Sequence, residues 1–481
     1  MSIRLKLKTL TAEEIAEHTG GRVESFGSGA AGEVVSIGHN SAEAESGMLF
    51  CAIIGERFDG HDFIRSALDA GADTVLCSRV PDDVKTGYNF TAIVVDDTVA
   101  TLGALAAYYR TLSQASVVAV TGSVGKTTTK EFIYAVLSAS FKTHKTRGNY
   151  NNEIGLPLTI FELEPDDQVS VLEMGMSNLG EIERMSKIAR PDIAVVTNIG
   201  TSHLATLGTR ENICRAKLEI TAGMSEHGCL LLNGDEPLLF AEKDHFPYVE
   251  FFGIYNRFGD YRAVNIRTRA DGMTYDMIFA DKAVTNIEVP TLGKHNVYNS
   301  LVAYAVGVKL GMTDDKIRMG LASFSGAEKR QNIYPMGDVT IIDDCYNASP
   351  ESMRAAIDVL VSIAGKSDGV PAALLGDMLE LGEYSRLMHD QLGRFAAQEK
   401  VQKLFCYGEM ADVVAEAAIK NGIRADNVFV SVDTSDPDTM AEMICSALEP
   451  GDVLLVKASR AVKAERVLEA VKRRYMRKSK K

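Results

Sequence analysis

Gly122-Ser123-Val124-Gly125-Lys126-Thr127-Thr128 is the stretch on which the reading of this chain turns. It follows residues 116–120, a continuous apolar run of the kind shown by a buried parallel strand. It precedes Phe132, Ile133, Val136, Leu137 and Phe141, which recur at helical spacing. Strand, glycine-rich turn and helix in that order predict a phosphate-binding loop. Glycines let backbone N–H groups curl around phosphate oxygens, and the helix N-terminus adds a favourable dipole. Lys126 then bridges the β- and γ-phosphates of a nucleotide, and the Thr127 hydroxyl holds Mg²⁺. Val120 stands where an eight-residue loop would carry its outer glycine, so the motif is a shortened G-x-x-G-K-T.

Outward from the loop, apolar runs at residues 169–172, 193–197 and 229–233 read as further buried strands separated by helical patterns. Such alternation predicts an α/β fold with a mainly parallel sheet. Residues 1–97 form an earlier block, with short strands at 48–53, 74–77 and 92–95. Residues 98–326 form the loop-bearing block, entered through an amphipathic stretch at 99–112. Residues 327–481 form a third block, doubly wound in pattern, with strands at 339–343, 372–375, 403–407 and 453–457 and helices at 350–363 and 388–398. Three blocks suit 481 residues at roughly 150 residues per domain.

Composition narrows the function classes. The net charge is −14 and the pI near 5.3, against a general nucleic-acid binder. The basic end (Lys472, Arg473, Arg474, Arg477, Lys478, Lys480, Lys481) reads as a solvated, frayed tail. The seven cysteines are scattered without a C-x-x-C pair, which suits reduced thiols. No apolar run approaches the ~20 residues of a membrane span, and the first residues lack an apolar signal core. A cytoplasmic protein without stable membrane insertion is expected.

Several residues stand where ligands collect in α/β sheets. Glu173 follows the run 169–172, in the place of a metal-binding acid. His203 lies in the loop after the run 193–197. Lys217, taken locally, reads as a solvated helix lysine. Gly55-Glu56-Arg57-Phe58-Asp59-Gly60-His61-Asp62-Phe63 is a polar turn between strand and helix. Gly293-Lys294-His295-Asn296-Val297-Tyr298-Asn299 precedes an apolar helix at 300–310, which it could cap or extend toward a ligand. Asp343-Asp344-Cys345-Tyr346-Asn347-Ala348-Ser349-Pro350 joins a buried strand to a helix, and its two acids suit a ribose, a metal or a cap.

Taken together, these segments resemble the Mur ligase family. The resemblance is carried by the run from Thr121 to Glu131, by Asn149-Tyr150-Asn151-Asn152-Glu153-Ile154-Gly155-Leu156-Pro157, by Glu173-Met174-Gly175-Met176, and by Leu375-Gly376-Asp377-Met378-Leu379-Glu380-Leu381-Gly382. Within the family it points to the member that adds D-alanyl-D-alanine to UDP-N-acetylmuramoyl-tripeptide. The resemblance implies an N-terminal UDP-binding domain, a central ATPase and a C-terminal Rossmann-like domain. It implies an acyl-phosphate intermediate and ATP with about two Mg²⁺ ions; a monomer is expected, and the acidic charge speaks against nucleic-acid partners.

By the same resemblance, Gly122, Ser123, Gly125, Lys126, Thr127, Thr128, Asn296, Arg330, Asp344 and Tyr346 bind the nucleotide. Thr127, Glu173, His203 and Lys217 hold metal, with Lys217 carbamylated. Lys126, Lys217, His203 and Arg330 act in catalysis. Ser41, Asp59, Gly60, His61, Asn151 and Asn347 face the other substrates. The chain departs from the family's Asp-Ser-Arg at Asn40-Ser41-Ala42, and it carries Asn347-Ala348-Ser349-Pro350 and Lys457-Ala458-Ser459-Arg460 where the family has Asn-Ala-Asn-Pro and a glycine second. A ligase for another acid substrate and a P-loop switch are the competing readings. The chain has no Asn-Lys-x-Asp guanine motif, and a switch needs no two further α/β domains.

Overall fold

The computed structural model describes residues 2–28, 32–55, 58–280, 282–326 and 330–478, the last three by backbone alone. Glu56 and Arg57 of the polar turn, Lys480 and Lys481 of the basic end, and the start of the third block at 327 lie outside the described residues.

Chain contacts divide the molecule into two compact units. The first comprises Met1–Thr121, Leu137–Val196 and Ala216–Leu231, and the second Gly122–Val136, Thr197–Arg215 and Leu232–Lys481.

In the first unit, a six-stranded sheet runs in the order Ile3–Arg4, Ser36–Gly38, Met48–Cys51, Thr74–Cys77, Phe90–Val94, Arg22–Phe26. Its four central strands pair in parallel, while both outer strands pair antiparallel. Met48, Phe50, Ile64, Ala67, Val75 and Phe90 form one side of its core. The same unit holds four parallel strands in the order Ile193–Val196, Ser116–Thr121, Val169–Glu173, Thr143–Lys145. Burial on both faces explains the apolar runs of the first three, whereas Thr143–Lys145 at the end of the order is polar and half-buried.

One strand of this group carries a pH-sensitive residue. His144 Nδ1 meets Ser170 Oγ at 2.9 Å, and its Nε2 is buried without a hydrogen-bond partner. Burial pushes its pKa down to about 4. The unfolded chain therefore takes up the proton first, near the ordinary value of about 6.5. The associated stability is complete above that pH and is lost as pH falls toward 4. His144→Gln is expected to remove ~3 kcal/mol of this acid sensitivity, read as the difference between the two proteins in urea unfolding at pH 7 and pH 4. Parallel curves would overturn it.

In the second unit, Val249–Gly253 pairs in parallel with Tyr261–Thr268, which continues antiparallel into Met273–Phe279 and Lys282–Val289. A six-stranded sheet has the order Asn332–Met336, Val339–Asp343, Val453–Lys457, Pro371–Gly376, Lys403–Tyr407, Val428–Ser431, parallel apart from its first pair. The sheets are thus mixed, more so than the sequence pattern predicts.

Helix limits correct three expectations. The helix after the phosphate loop is Lys126–Ser138, so Phe141 lies beyond its end. The apolar helix is Lys294–Lys309, which takes the polar run 294–299 inside the helix, and its N-cap Gly293 lends no side chain. The basic end is a helix, Glu465–Lys478, in which Lys472 lies over the Tyr334 ring and Arg474 nears Asp438 and Glu442. The helix Pro350–Ala364 is capped by Ser349, whose hydroxyl and backbone exchange bonds with Ser352, and not by the two acids.

Candidate active site

The phosphate loop belongs to the second unit and is braced from residues 197–198. Ser123 N donates to Asn198 O at 3.1 Å, and Val124 N to Asn198 Oδ1 at 2.9 Å. Val124 O accepts from Thr197 Oγ1 at 2.7 Å and from Asn198 Nδ2 at 2.9 Å. Lys126 Nζ folds back on the loop, 2.7 Å from Gly122 O and 3.4 Å from Ser123 O. The Ser123 hydroxyl is buried without a partner. A buried hydroxyl of this kind is costly unless something bonds it, and an anion in the loop would do so.

Gly122 has φ +149°, and a Cβ there would stand 1.9 Å from Thr197 Oγ1. Gly122→Ala must therefore displace the threonine that braces Val124. It is expected to weaken nucleotide binding by roughly 30-fold, an effect of ~2 kcal/mol, measured by calorimetric titration with ADP. An unchanged affinity would contradict the brace.

A cavity of about 920 Å³ opens beside the loop, entirely within the second unit. It is lined by Gly125, Thr128, Asn296, Arg330 and Asp344, five of the residues predicted for nucleotide binding. Asn299 links its walls, accepting from Thr129 Oγ1 at 2.9 Å and donating to Asn296 Oδ1 at 3.0 Å. Asn296 Nδ2 donates to Leu292 O at 2.8 Å, and Gln331 Nε2 to the same carbonyl at 2.8 Å. His295 Nε2 lies 3.0 Å from Gln331 Oε1, and burial holds its pKa below the usual histidine value. Asp344 is bonded to Lys457 Nζ at 2.5 Å and to Gln331 N at 3.3 Å.

Tyr346 lies outside this lining, with the Arg330 guanidinium 4.4 Å and the Arg460 guanidinium 5.2 Å from its ring centre. Asn347 O accepts from Lys457 Nζ at 3.0 Å.

His295 and Tyr298, from the quoted run 293–299, also line the cavity, and sequence reading missed another set of lining residues: Asp235, Phe252, Tyr255 and Gln331. Asp235 accepts from the backbone of Ile254, Tyr255 and Asn256 and from Tyr298 OH at 2.7 Å. The turn at 254–256 is thereby fastened against the helix Lys294–Lys309. No contiguous motif marks this set. The one available signal was an acid and an asparagine after a buried strand, at Asn233-Gly234-Asp235.

The four predicted metal residues divide between the units. Thr127 and His203 belong to the second, Glu173 and Lys217 to the first. His203 has φ +64°, and its Nδ1 meets Glu380 Oε2 at 2.8 Å. Thr201 donates through N and Oγ1 to Glu351 Oε1 at 3.0 and 3.1 Å. Glu173 is buried, and its Oε1 accepts from Asn151 Nδ2 at 2.7 Å. Lys217 is only 1% exposed, which overturns its reading as a solvated lysine.

No group of three His, Cys, Asp or Glu side chains able to hold a metal occurs among the described residues. Mg²⁺ does not require one. It keeps several waters and substrate phosphates and takes one or two hard protein donors. The Thr127 hydroxyl in the second unit and the Glu173 carboxylate in the first are each a hard oxygen donor of that kind.

Beside the N-terminal sheet, the polar turn closes on a four-residue network of Asp59, His61, Ser78 and Arg79. Asp59 Oδ1 meets His61 Nδ1 at 2.6 Å, and His61 Nε2 accepts from Ser78 N at 2.9 Å. Arg79 binds the other Asp59 oxygen at 2.7 Å and holds that carboxyl well below its usual pKa. Gly60 sits against Ile53 too closely for a Cβ. Ser41 opens a short 3-10 turn capped by Asn40.

Comparison with known proteins follows the same layout. The chain matches the descriptions "Mur ligase family, catalytic domain" over residues 33–110, "Mur ligase middle domain" over 120–307 and "Mur ligase, glutamate ligase domain" over 329–460. It is 38% identical to the UDP-N-acetylmuramoyl-tripeptide--D-alanyl-D-alanine ligase of Bacillus subtilis, across 90% of this chain and 92% of the relative. It is 33% identical to the Escherichia coli enzyme of that name, across 88% and 91%. Among solved structures, MurF from Acinetobacter baumannii aligns with a TM-score of 0.87 at 31% identity, covering 98% of this chain and all of that one. MurF from Thermotoga maritima in complex with ADP aligns with a TM-score of 0.81 at 32% identity, covering 92% and 98%.

Proposed function

The chain belongs to the Mur ligase family, and on that premise we infer that it is the ATP-dependent ligase joining D-alanyl-D-alanine to UDP-N-acetylmuramoyl-tripeptide in peptidoglycan precursor synthesis. The observation that carries this is similarity over nearly the full length of both chains to relatives of that one activity. The architecture has the family's three domains, α/β throughout with mixed sheets. We assign 1–97 to the UDP end of the substrate, 98–326 to ATP and 327–481 to the closing ligase domain.

The chemistry begins from an obstacle. A carboxylate has no good leaving group, and its charge repels the γ-phosphate it must attack. Transfer of the γ-phosphoryl group to the tripeptide carboxylate gives an acyl phosphate and ADP. The amine of D-alanyl-D-alanine then attacks the acyl carbon, phosphate leaves and an amide remains. In this reading Lys126 sets a positive charge beside the transferred phosphoryl group, where developing charge is worth most. Gly122, Ser123, Gly125, Thr127 and Thr128 orient the phosphate chain through backbone and hydroxyl donors. Asn296 and Asp344 position adenine and ribose, and Arg330, stacked on Tyr346, adds a second cation. Mg²⁺, when bound, supplies neutralisation of phosphate charge, with Thr127, Glu173, His203 and a carbamylated Lys217 as the groups that would hold it.

Ser41, Asp59, Gly60, His61, Asn151 and Asn347 are assigned to the remaining substrates. No described helix is long and apolar enough to cross a membrane. We place the reaction in the cytoplasm and the working form as a monomer.

The test is phosphate release from Mg-ATP with each substrate omitted in turn. Release should require both UDP-N-acetylmuramoyl-tripeptide and D-alanyl-D-alanine for sustained turnover. Release indifferent to both would sink the assignment.

A further inference from the structure

We propose that Glu380 is a positioning residue for His203, fixing its imidazole through Nδ1 so that Nε2 is the ring nitrogen left to take a ligand. This rests on the reading of His203 as a metal-holding residue. The two residues are tied twice. Glu380 Oε2 lies 2.8 Å from His203 Nδ1, and Glu380 O accepts from Ala205 N at 3.1 Å. Both have φ of +64°, a left-handed conformation that non-glycine residues adopt at a cost. Such backbone persists only where its surroundings over-determine it. Gly382, with φ +55°, lets the two segments approach, since a Cβ there would stand 3.2 Å from Ala205 Cα. Glu351, from the first turn of the helix Pro350–Ala364, grips the same loop through Thr201. The Glu351 carboxylate thus holds Thr201, and the carboxylate and backbone carbonyl of Glu380 hold His203 and Ala205.

The chemistry follows from the tautomer. A neutral imidazole that donates Nδ1–H to a carboxylate keeps its lone pair on Nε2, the form a metal requires. No protein partner of Nε2 occurs among the described residues. Glu380 is 61% exposed on its side chain, where an ion pair adds little to stability. Its fixed place therefore suits orientation better than folding. The imidazole is then oriented by a segment remote in sequence, so the metal-side group is complete only with that segment seated.

Two measurements on the full chain test this. In long-range ¹H–¹⁵N spectra of histidine-labelled protein, with His203→Ala identifying the signal among the nine histidines, His203 should be the Nδ1–H tautomer. Glu380→Gln, whose amide oxygen still accepts, should keep it, and Glu380→Ala should lose it. In paramagnetic-resonance titrations of Mn²⁺ with saturating β,γ-methylene ATP, Glu380→Ala should bind Mn²⁺ about 10-fold more weakly, and Glu380→Gln should stay near wild type. A wild-type Nε2–H tautomer, or an alanine variant that keeps both tautomer and Mn²⁺ affinity, overturns the proposal. If His203→Ala itself binds Mn²⁺ as tightly as wild type, the ligand reading of His203 falls and the proposal falls with it.

Discussion

Lys126→Ala is expected to lower kcat for substrate-dependent phosphate release by roughly 10³-fold, about 4 kcal/mol of barrier, with an unchanged melting temperature. The size follows from charge. Two unit charges 4 Å apart interact by about 4 kcal/mol at an effective dielectric near 20. The reaction brings an anionic carboxylate against an anionic phosphoryl group, so one well-placed cation offsets a repulsion of that order. The structure shows how the cation is placed: Lys126 Nζ is bonded to the Gly122 carbonyl at 2.7 Å, along the inner edge of the loop. Its stem starts the helix Lys126–Ser138, so loss of the amine leaves the fold's packing residues Phe132, Ile133, Val136 and Leu137 untouched. Lys126→Arg should not rescue, because a planar fork cannot replace a compact ammonium in a tight loop. The measurement is steady-state kinetics with both substrates saturating. A loss confined to the KM for ATP would assign the lysine to ground-state binding only, and a kcat within tenfold of wild type would remove it from the chemistry.

How much of this was legible in the sequence depends on how local each feature is. The phosphate loop was readable because strand, glycines and helix are contiguous, and the bonds that brace Ser123 and Val124 reach only to residues 197–198. The antiparallel strands Tyr261–Thr268, Met273–Phe279 and Lys282–Val289 were not. Lys282–Val289 is mostly exposed, so its alternation carries little apolar signal, although Asp271-Gly272 is a hairpin signature. The polar run after Gly293 reads as a cap because asparagine and histidine are poor helix formers. Tertiary bonds override that preference: Asn296 and Asn299 spend their side chains on Leu292, Thr129 and each other inside the helix. The cavity residues Asp235, Tyr255 and Gln331 come from separated loops, and only the folded chain gathers them.

Lys217 is the sharpest case of a residue whose role no local pattern reveals, and its replacement carries the other large effect. At 1% exposure it lies in the helix Arg210–Leu218, one residue from the end. Burying an ammonium costs several kcal/mol unless partners compensate, so a solvated role is excluded and a specific one is required. Two chemistries meet the requirement. Lysine can stay a cation among acceptors, or it can react with CO₂ to give a carbamate, changing its charge from positive to negative and becoming an oxygen donor that suits Mg²⁺. Lys217→Ala should lower kcat by ~10³-fold in either case, so the loss alone does not separate them. Rescue does. If the carbamate operates, acetate or formate should restore activity at least about tenfold, because a small carboxylate returns an anionic oxygen donor to the vacated space. Methylamine should not. Rescue by methylamine and not by carboxylates would establish the cation and overturn the carbamate. A second, rate-independent reading is available from ¹³C-bicarbonate: a carbamate carbon signal should appear in the wild-type protein and be absent from Lys217→Ala. If that signal is missing from the wild type, the carbamate is overturned and Lys217 acts as a buried cation.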